Sequence, residues 1–316
     1  MRMRHADHPT SEQLVLAVDI GGTKLAACLA GPDGLIGEPV STPTPKGDGE
    51  EVFAALAGII GKALDGRRVD GIGIGAAGPL ELKSGTLSPV NISGWRSFPI
   101  VERVSDLVPN VPVVLAGDGN CAAAGEHWLG AGRGHDDLLV LVVSTGVGGG
   151  LIIGGRLMHG PTANAGHLGH VVVDLHGDRC PCGGIGCVES IASGPSMAKW
   201  ALRNGWRPDG PPTAITLDIA ARGGDRIAMQ AFERAGQAIA AGIVTAAALC
   251  DVDRAIIGGG VARAGDLLFD PVRRYLRDYA KLEFLQRLNV VPAELGTNAG
   301  LAGAAALVLE PGRYAP

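Results

Sequence analysis

The residues of this sequence best suited to chemistry are three glycine-rich turns that follow apolar runs, and a cluster of cysteines beside a histidine. Asp19-Ile20-Gly21-Gly22-Thr23-Lys24 closes the apolar run Leu14–Ile20. Gly21 and Gly22 let the backbone turn tightly and bring N–H groups to a phosphate, while Thr23 and Lys24 add a hydroxyl and a positive charge. Asp19 is placed to hold Mg2+ through water, because that cation prefers a carboxylate together with waters and phosphate oxygens. Ser144-Thr145-Gly146-Val147-Gly148-Gly149-Gly150 follows a second apolar run, Leu138–Val143, and Gly258-Gly259-Gly260 follows a third, Ala255–Ile257. At the third, a flat adenine or ribose can lie against bare backbone. Each turn taken alone is equally well an ordinary hairpin or a packing glycine. Three of them at strand carboxyl ends are harder to explain that way. Neither a G-x-x-x-x-G-K-[ST] loop nor a strand-linked G-x-G-x-x-G signature is present in them.

The cysteine cluster consists of Cys180, Cys182 and Cys187, preceded by His170. Three thiolates and an imidazole form a donor set that zinc accepts in closed tetrahedral sites, with no position left open for catalysis. The odd number of thiols speaks against a disulfide framework, and the Cys-x-Cys spacing is wrong for a thioredoxin-like pair. Gly183, Gly184 and Gly186 let the chain wrap tightly around an ion. Cys28, Cys121 and Cys250 lie in Ala-rich surroundings and are expected to be small buried apolar residues.

These groups need elements to hold them. Leu14–Ile20 reads as a strand and Leu25–Leu29 as its hairpin partner, with Pro32-Asp33-Gly34 as the next turn. Helical spacing runs from Glu50 to Leu64, followed by strands at Val69–Ile74 and Val111–Leu115 and a helix at Gly119–Trp128. The span from Gly75 to Pro99 reads as a loop region. The same grammar then recurs: a strand to Val143, a glycine turn, and a return strand at Leu151–Ile153. Later come a long helix (Met229–Leu249), a strand (Arg254–Ile257), a helix (Leu267–Tyr279), a short strand at Val290-Val291 and a closing Ala-rich helix (Asn298–Leu309). A strand–turn–strand unit repeated after about 125 residues predicts an internal duplication of a nucleotide-binding lobe.

The match to a known family now becomes visible. The Asp19–Lys24 turn, the Ser144–Gly150 turn and the block Gly166-His167-Leu168-Gly169-His170…Cys180-x-Cys182-x4-Cys187-x-Glu189 resemble the ROK family of sugar kinases and related repressors. The resemblance extends from about residue 14 to the last helix. It implies an α/β, two-lobed actin-like ATPase (ribonuclease H-like) fold with duplicated lobes facing a cleft. The lobe boundaries expected are 14–117 plus 298–316 for the small lobe and 118–297 for the large lobe with the zinc site, after a flexible lead over residues 1–13. It also implies transfer of the γ-phosphoryl group of ATP to the 6-hydroxyl of a hexose, with Mg2+, structural Zn2+ and an aspartate base. The matching position is Asp118, in Leu115-Ala116-Gly117-Asp118-Gly119-Asn120. A carboxylate there is kept ionised by the helix N-terminus and can accept a proton from an attacking hydroxyl. Glu189 and His170 match positions that touch sugar hydroxyls, and Asn91 falls in the family's sugar-side loop. The family also suggests a homodimer.

Two departures bear on specificity. The family usually has Asn where this chain has Gly117, and commonly Glu where it has His167. A carboxylate only accepts hydrogen bonds, whereas neutral imidazole also offers a donor, which suits the carbonyl of a 2-acetamido group. The stretch Ala165–His170, with Val188–Gly194, also resembles bacterial N-acetylmannosamine kinases more than typical glucokinases, which with this donor favours N-acetyl-D-mannosamine as substrate; a glucokinase pocket with a neutral swap is the alternative. A sugar-responsive repressor is not expected, since about 13 residues precede the first strand, too few for a helix-turn-helix domain. A catalytically silent sugar sensor is disfavoured by Asp19, Lys24 and Asp118, and polyphosphate is an alternative donor.

Composition closes off other classes. The chain has 316 residues, 46% hydrophobic and 19% charged, with a formal net charge of −5 and no Lys/Arg block, so neither nucleic acid nor a membrane surface is an expected partner. No apolar run reaches the roughly 18 residues a bilayer span needs, and Met1–Gln13 lacks the apolar centre of a signal peptide, which makes the cytoplasm the expected location.

Overall fold

The computed structural model describes residues 13–89 and 91–316. The N-terminal lead expected over residues 1–13 lies, up to residue 12, outside the described residues. Two five-stranded mixed sheets repeat one topology. In the first, strands β1 (Val15–Ile20), β2 (Lys24–Gly31) and β3 (Gly34–Pro43) form an antiparallel meander. Strand β4 (Gly71–Ala76) then adds parallel to β1 on its other side. A two-stranded hairpin, β5 (Leu80–Glu81) with β6 (Thr86–Leu87), intervenes before β7 (Val113–Gly117) completes the order β3-β2-β1-β4-β7. In the second sheet, β8 (Leu138–Val143), β9 (Val147–Ile153) and β10 (Arg156–Leu157) repeat the meander, and β11 (Arg254–Gly258) and β12 (Asn289–Pro292) add in parallel, giving β10-β9-β8-β11-β12. The duplication expected from the two strand–turn–strand units is thus present down to the direction of each strand.

Ten helices among the described residues cover these sheets: α1 (Gly49–Leu64), α2 (Ile100–Leu107), α3 (Asp118–Trp128), α4 (Val188–Ala192), α5 (Gly194–Arg203), α6 (Ala214–Arg222), α7 (Arg226–Cys250), α8 (Asp266–Tyr279), α9 (Ala299–Leu309) and α10 (Pro311–Tyr314). Helix α1 starts where Asp48 accepts hydrogen bonds from the Glu50 and Glu51 amides, which satisfies two of the free donors of its first turn. Its apolar positions, Val52, Phe53, Leu56, Ile59, Ile60 and Ala63, pack on the first sheet. The long α7 is capped in the same way by Asp225 and buries its Ala-rich face under the second sheet. Among the described residues, no helix is long and apolar enough to cross a membrane.

A third core joins the two sheets. It brings Val15, Ala17, Ala26 and Cys28 together with Leu138, Val140, Ile152 and Ile256, through α3 and α9. These two helices meet almost backbone to backbone. A Cβ on Gly303 would stand 1.7 Å from the Cys121 carbonyl oxygen, and one on Gly125 would stand 2.2 Å from that of Ala299. Only glycine permits this approach.

Several elements differ from expectation. Strand β3 and helices α2, α4, α5, α6 and α10 were not anticipated, and α2 begins one residue after the span read as loop. Gly148–Gly150 belong to β9 rather than to the turn, because β9 starts at Val147 and not at Leu151. All six cysteines are free; Cys28 and Cys121 are buried as expected, while Cys250 is only partly so.

Candidate active site

Five strand ends and one helix start converge on the cleft between the sheets. Strand β1 delivers Asp19, β2 begins at Lys24, β7 ends at Gly117, α3 begins at Asp118, and β8 and β11 deliver Ser144 and Gly258. Open strand ends at one edge of an α/β sheet are where such folds bind ligands, because backbone amides there are not used in the ladder.

In the first turn, the Gly21 N–H donates to the Lys24 carbonyl at 3.0 Å. Thr44 braces it from the end of β3: its hydroxyl donates to the Gly21 carbonyl at 2.7 Å and its N–H to that of Thr23 at 3.1 Å. Thr23 and Lys24 remain exposed. Asn91, expected on the sugar side, is placed over this turn: a Cβ on Gly22 would lie 2.4 Å from the Asn91 Cβ. Burial, reinforced by the Asp118 carboxylate and partly offset by Lys24, pushes the Asp19 carboxyl up to about 6. Asp19 and Asp118 are therefore close enough to repel, and a cation between them and a phosphate would relieve both.

Asp118 is open to solvent yet hemmed in by protein. That crowding raises its pKa, while the Gly119 N–H, which donates to Asp118 Oδ1 at 2.7 Å, and the nearby His167 pull it down. Two residues on, Asn120 is buried with an amide oxygen that has no partner among the described residues.

The second turn is built differently. The Ser144 N–H donates to the Gly146 carbonyl, and the Ser144 carbonyl accepts from the Gly194 N–H at 2.8 Å, which ties the turn to the start of α5. The Glu189 Oε2 accepts from the Val147 N–H at 2.9 Å. A Cβ on Gly146 would lie 2.7 Å from that same oxygen. Thr145 is exposed and Gly148 has nothing near its missing side chain, so this stretch of backbone is open to a ligand. Gly259, at φ +91°, tucks under Val143, and Gly260 comes within 3.4 Å of Ser144 Oγ, measured from where its Cβ would be. The second and third glycine turns therefore line one trough.

Behind the trough, the donor atoms of His170, Cys180, Cys182 and Cys187 all lie within 4.8 Å of one another. His170 Nδ1 is 3.8 Å from Cys180 Sγ, and Cys182 Sγ is 3.8 Å from Cys187 Sγ. A tetrahedron with metal–sulfur bonds of about 2.3 Å has sulfur–sulfur edges of about 3.8 Å, so the set fits zinc. The Gly184 N–H points at Cys182 Sγ, the kind of donor that supports a thiolate ligand. Glu189 Oε1 lies 3.7 Å from Cys180 Sγ, so one carboxylate links this cluster to the second turn. His167 enters the cleft beside Asp118, its ring 6.2 Å from that of His170.

Thr44, Asn120 and Gly194 were not foreseen as parts of the site. Thr44 follows a strand without apolar alternation, and nothing local to it marks a partner 23 residues away. Asn120 had a signal, its place within the first turn of the helix that Asp118 opens.

Comparison with known proteins places the chain. The model of the ROK family matches residues 15–311. A glucokinase of Thermotoga maritima is 34% identical, over 94% of this chain and 97% of its own length. An N-acetylmannosamine kinase of Yersinia pseudotuberculosis is 35% identical, over 92% and 96%. Among solved structures, a ROK family glucokinase of Streptomyces griseus, in complex with glucose and AMPPNP, superposes with a TM-score of 0.80 at 36% identity, covering 93% of this chain and 98% of that one. The two-lobed actin-like ATPase architecture is common to these kinases and to the fold described above.

Proposed function

This chain belongs to the ROK family, and from that premise we propose that it is an ATP-dependent sugar kinase that phosphorylates the 6-hydroxyl of a hexose, with Asp118 as the base. The observation that carries this reading is the grouping of Asp118, Asp19 and Lys24 at the open ends of β7, β1 and β2. A carboxylate with a raised pKa is a stronger proton acceptor than an ordinary aspartate, and His167 beside it keeps the ionised form accessible.

The 6-hydroxyl gives its proton to Asp118 as its oxygen attacks the γ-phosphorus, and the bond to the β-phosphate oxygen breaks, leaving ADP. Phosphoryl transfer requires alignment and charge neutralisation more than covalent chemistry. Backbone amides of Gly21, Gly22, Gly146 and Gly148, the hydroxyls of Thr23, Ser144 and Thr145, and Lys24 provide that around the phosphates. Gly258, Gly259 and Gly260 leave a flat floor for the nucleoside. Asp19 would hold Mg2+ through water, and the ion would supply charge neutralisation for the phosphates. His170, Cys180, Cys182 and Cys187 hold zinc as a structural ion, since four protein ligands leave no open position. Residues 14–117 with 298–316 form one lobe and 118–297 the other, and their closure excludes water from the transfer.

The sugar is N-acetyl-D-mannosamine in the preferred reading. His167 is the supporting observation: an imidazole at the cleft beside Asp118 can donate to an acetamido carbonyl, where a carboxylate could not. Glu189, His170 and Asn91 are the remaining candidate sugar contacts. D-Glucose is the second reading, supported by the relatives named glucokinase. An assay of sugar 6-phosphate formation with ATP, then polyphosphate, as donor against D-glucose and N-acetyl-D-mannosamine decides the donor and the sugar. Asp118→Ala should keep sugar binding by calorimetry and lose at least about 100-fold in kcat. Retention of more than about a tenth of kcat, a barrier change under ~1.4 kcal/mol, rules out the base assignment.

A further inference from the structure

Gly117 is a glycine that neither its backbone nor its packing requires. Its φ of −66° and ψ of 148° are open to any residue. A Cβ built there meets only Leu80 Cδ1, at 3.8 Å, which is ordinary contact. Neighbouring glycines differ. A Cβ on Gly119 would stand 2.5 Å from the Gly149 carbonyl oxygen, and one on Gly75 would stand 3.0 Å from Cys121 Sγ. Those positions are filled by the fold. At Gly117 a side chain would fit, and none is there, so the chain leaves a small hollow walled by Leu80.

The position of that hollow gives it meaning. Gly117 is the last residue of β7 and Asp118 the first of α3, and consecutive Cα atoms lie about 3.8 Å apart. In a hexose whose 6-hydroxyl meets Asp118, the reacting arm joins the ring at C5. One ring neighbour of C5 is the ring oxygen, which carries no hydroxyl; the other is C4. The hydroxyl on C4 is therefore the substrate group beside the reacting arm.

The geometry points to Gly117 as the residue that makes this site permissive at sugar C4, an inference that rests on the kinase reading above. A site that hydrogen-bonds a substrate hydroxyl rejects the analogue lacking it by about 10^4 to 10^5, whereas a bare apolar wall discriminates by about 10^2 or less. With hydrogen in place of a side chain at 117 and a leucine methyl opposite, no side-chain donor or acceptor stands within 4 Å of where a Cβ would be, which leaves room for an inverted hydroxyl. The enzyme accepts the 4-deoxy sugar and the C4 epimer alongside the parent hexose.

The test takes whichever of D-glucose and N-acetyl-D-mannosamine is phosphorylated faster, with its 4-deoxy analogue and its C4 epimer. It measures kcat/KM for each on the wild type, Gly117→Asn and Gly117→Ala. The wild type should disfavour the 4-deoxy sugar by less than about tenfold, and Gly117→Asn should raise that preference at least about tenfold by restoring a polar partner. Gly117→Ala, which fills space without polarity, should penalise the epimer and leave the deoxy ratio unchanged. A wild type that rejects the 4-deoxy sugar by more than about 100-fold overturns the inference. So do ratios that neither variant moves. Should Gly117→Asn fail to fold, the wild-type ratio and Gly117→Ala still decide. If no sugar is phosphorylated, the kinase reading falls by itself, and calorimetric binding of the same three sugars to the wild type and Gly117→Ala decides separately about Gly117.

Discussion

The two principal glycine turns occupy equivalent places in duplicated sheets, yet they are held in different ways. The turn at Gly21–Gly22 is braced by its own sheet, through the Lys24 carbonyl and the hydroxyl of Thr44 at the end of β3. The turn at Ser144–Gly146 depends on distant chain: Gly194 at the start of α5, and Glu189, which in turn sits against the cysteine cluster. The charges differ as well. The first turn carries a crowded carboxylate, Asp19, and a lysine, whereas the second offers hydroxyls and bare backbone. The same local motif has thus become a self-contained charged cradle in one lobe and a remotely supported neutral one in the other.

The largest effect that separates the turns should come from Cys182→Ser. Loss of one of four ligands from a structural zinc site removes a large part of the roughly 10 kcal/mol that such a site contributes to local folding. Hydrogen exchange should then quicken across residues 144–150 and 168–189 and stay unchanged across 19–25, with zinc lost by metal analysis. A full zinc complement in the variant, or equal loosening of both turns, breaks the comparison.

A smaller effect belongs to the first turn alone. The folded-state pKa of Asp19 lies above its unfolded value, so between about 3.8 and about 6 the native chain holds a proton that the unfolded chain has released. Stability of the ligand-free protein therefore falls as pH rises through that window, by at most about 3 kcal/mol for this group. Asp19→Asn should be nearly as stable as the wild type below about pH 4 and more stable above about pH 6, measured by urea denaturation. A stability difference that does not change with pH contradicts this account. The variant should also bind ATP–Mg2+ poorly.

The smallest effect sharpens the contrast. Thr44→Val removes one hydrogen bond, worth about 1 kcal/mol, and should raise the KM for ATP a few-fold without altering exchange at 144–150. An unchanged KM would mean that the strand ladder alone shapes the first turn.

What the sequence disclosed follows the same division. The strands ending at Ile20 and Val143 were legible because each is an uninterrupted apolar run before glycines, and the ligand set because its spacing is local. Strand β3 was not, since half of its residues are exposed, most of the rest are only partly buried, and together they supply no alternation to read. Helix α9 was expected as a helix, but with nearly every face buried it gives no stripe to say what it packs against. The contacts of Thr44 with Gly21, Asn91 with Gly22 and Glu189 with Val147 join residues 23 or more positions apart, and only the folded chain brings them together. Gly117 illustrates the limit best. The sequence shows only a glycine before Asp118, and only the clearance around it tells a vacancy from a structural need.

The contact of α3 with α9 has a mechanical consequence. Where glycines bring two helices this near, backbone rests on backbone and few side chains interlock at the point of contact. Closure of the two proposed lobes would turn on this joint as on a plain bearing. Its seat lies along the helix whose first residue is Asp118, so a methyl group inserted at Gly303 would act as a wedge at the pivot and prop the jaws apart.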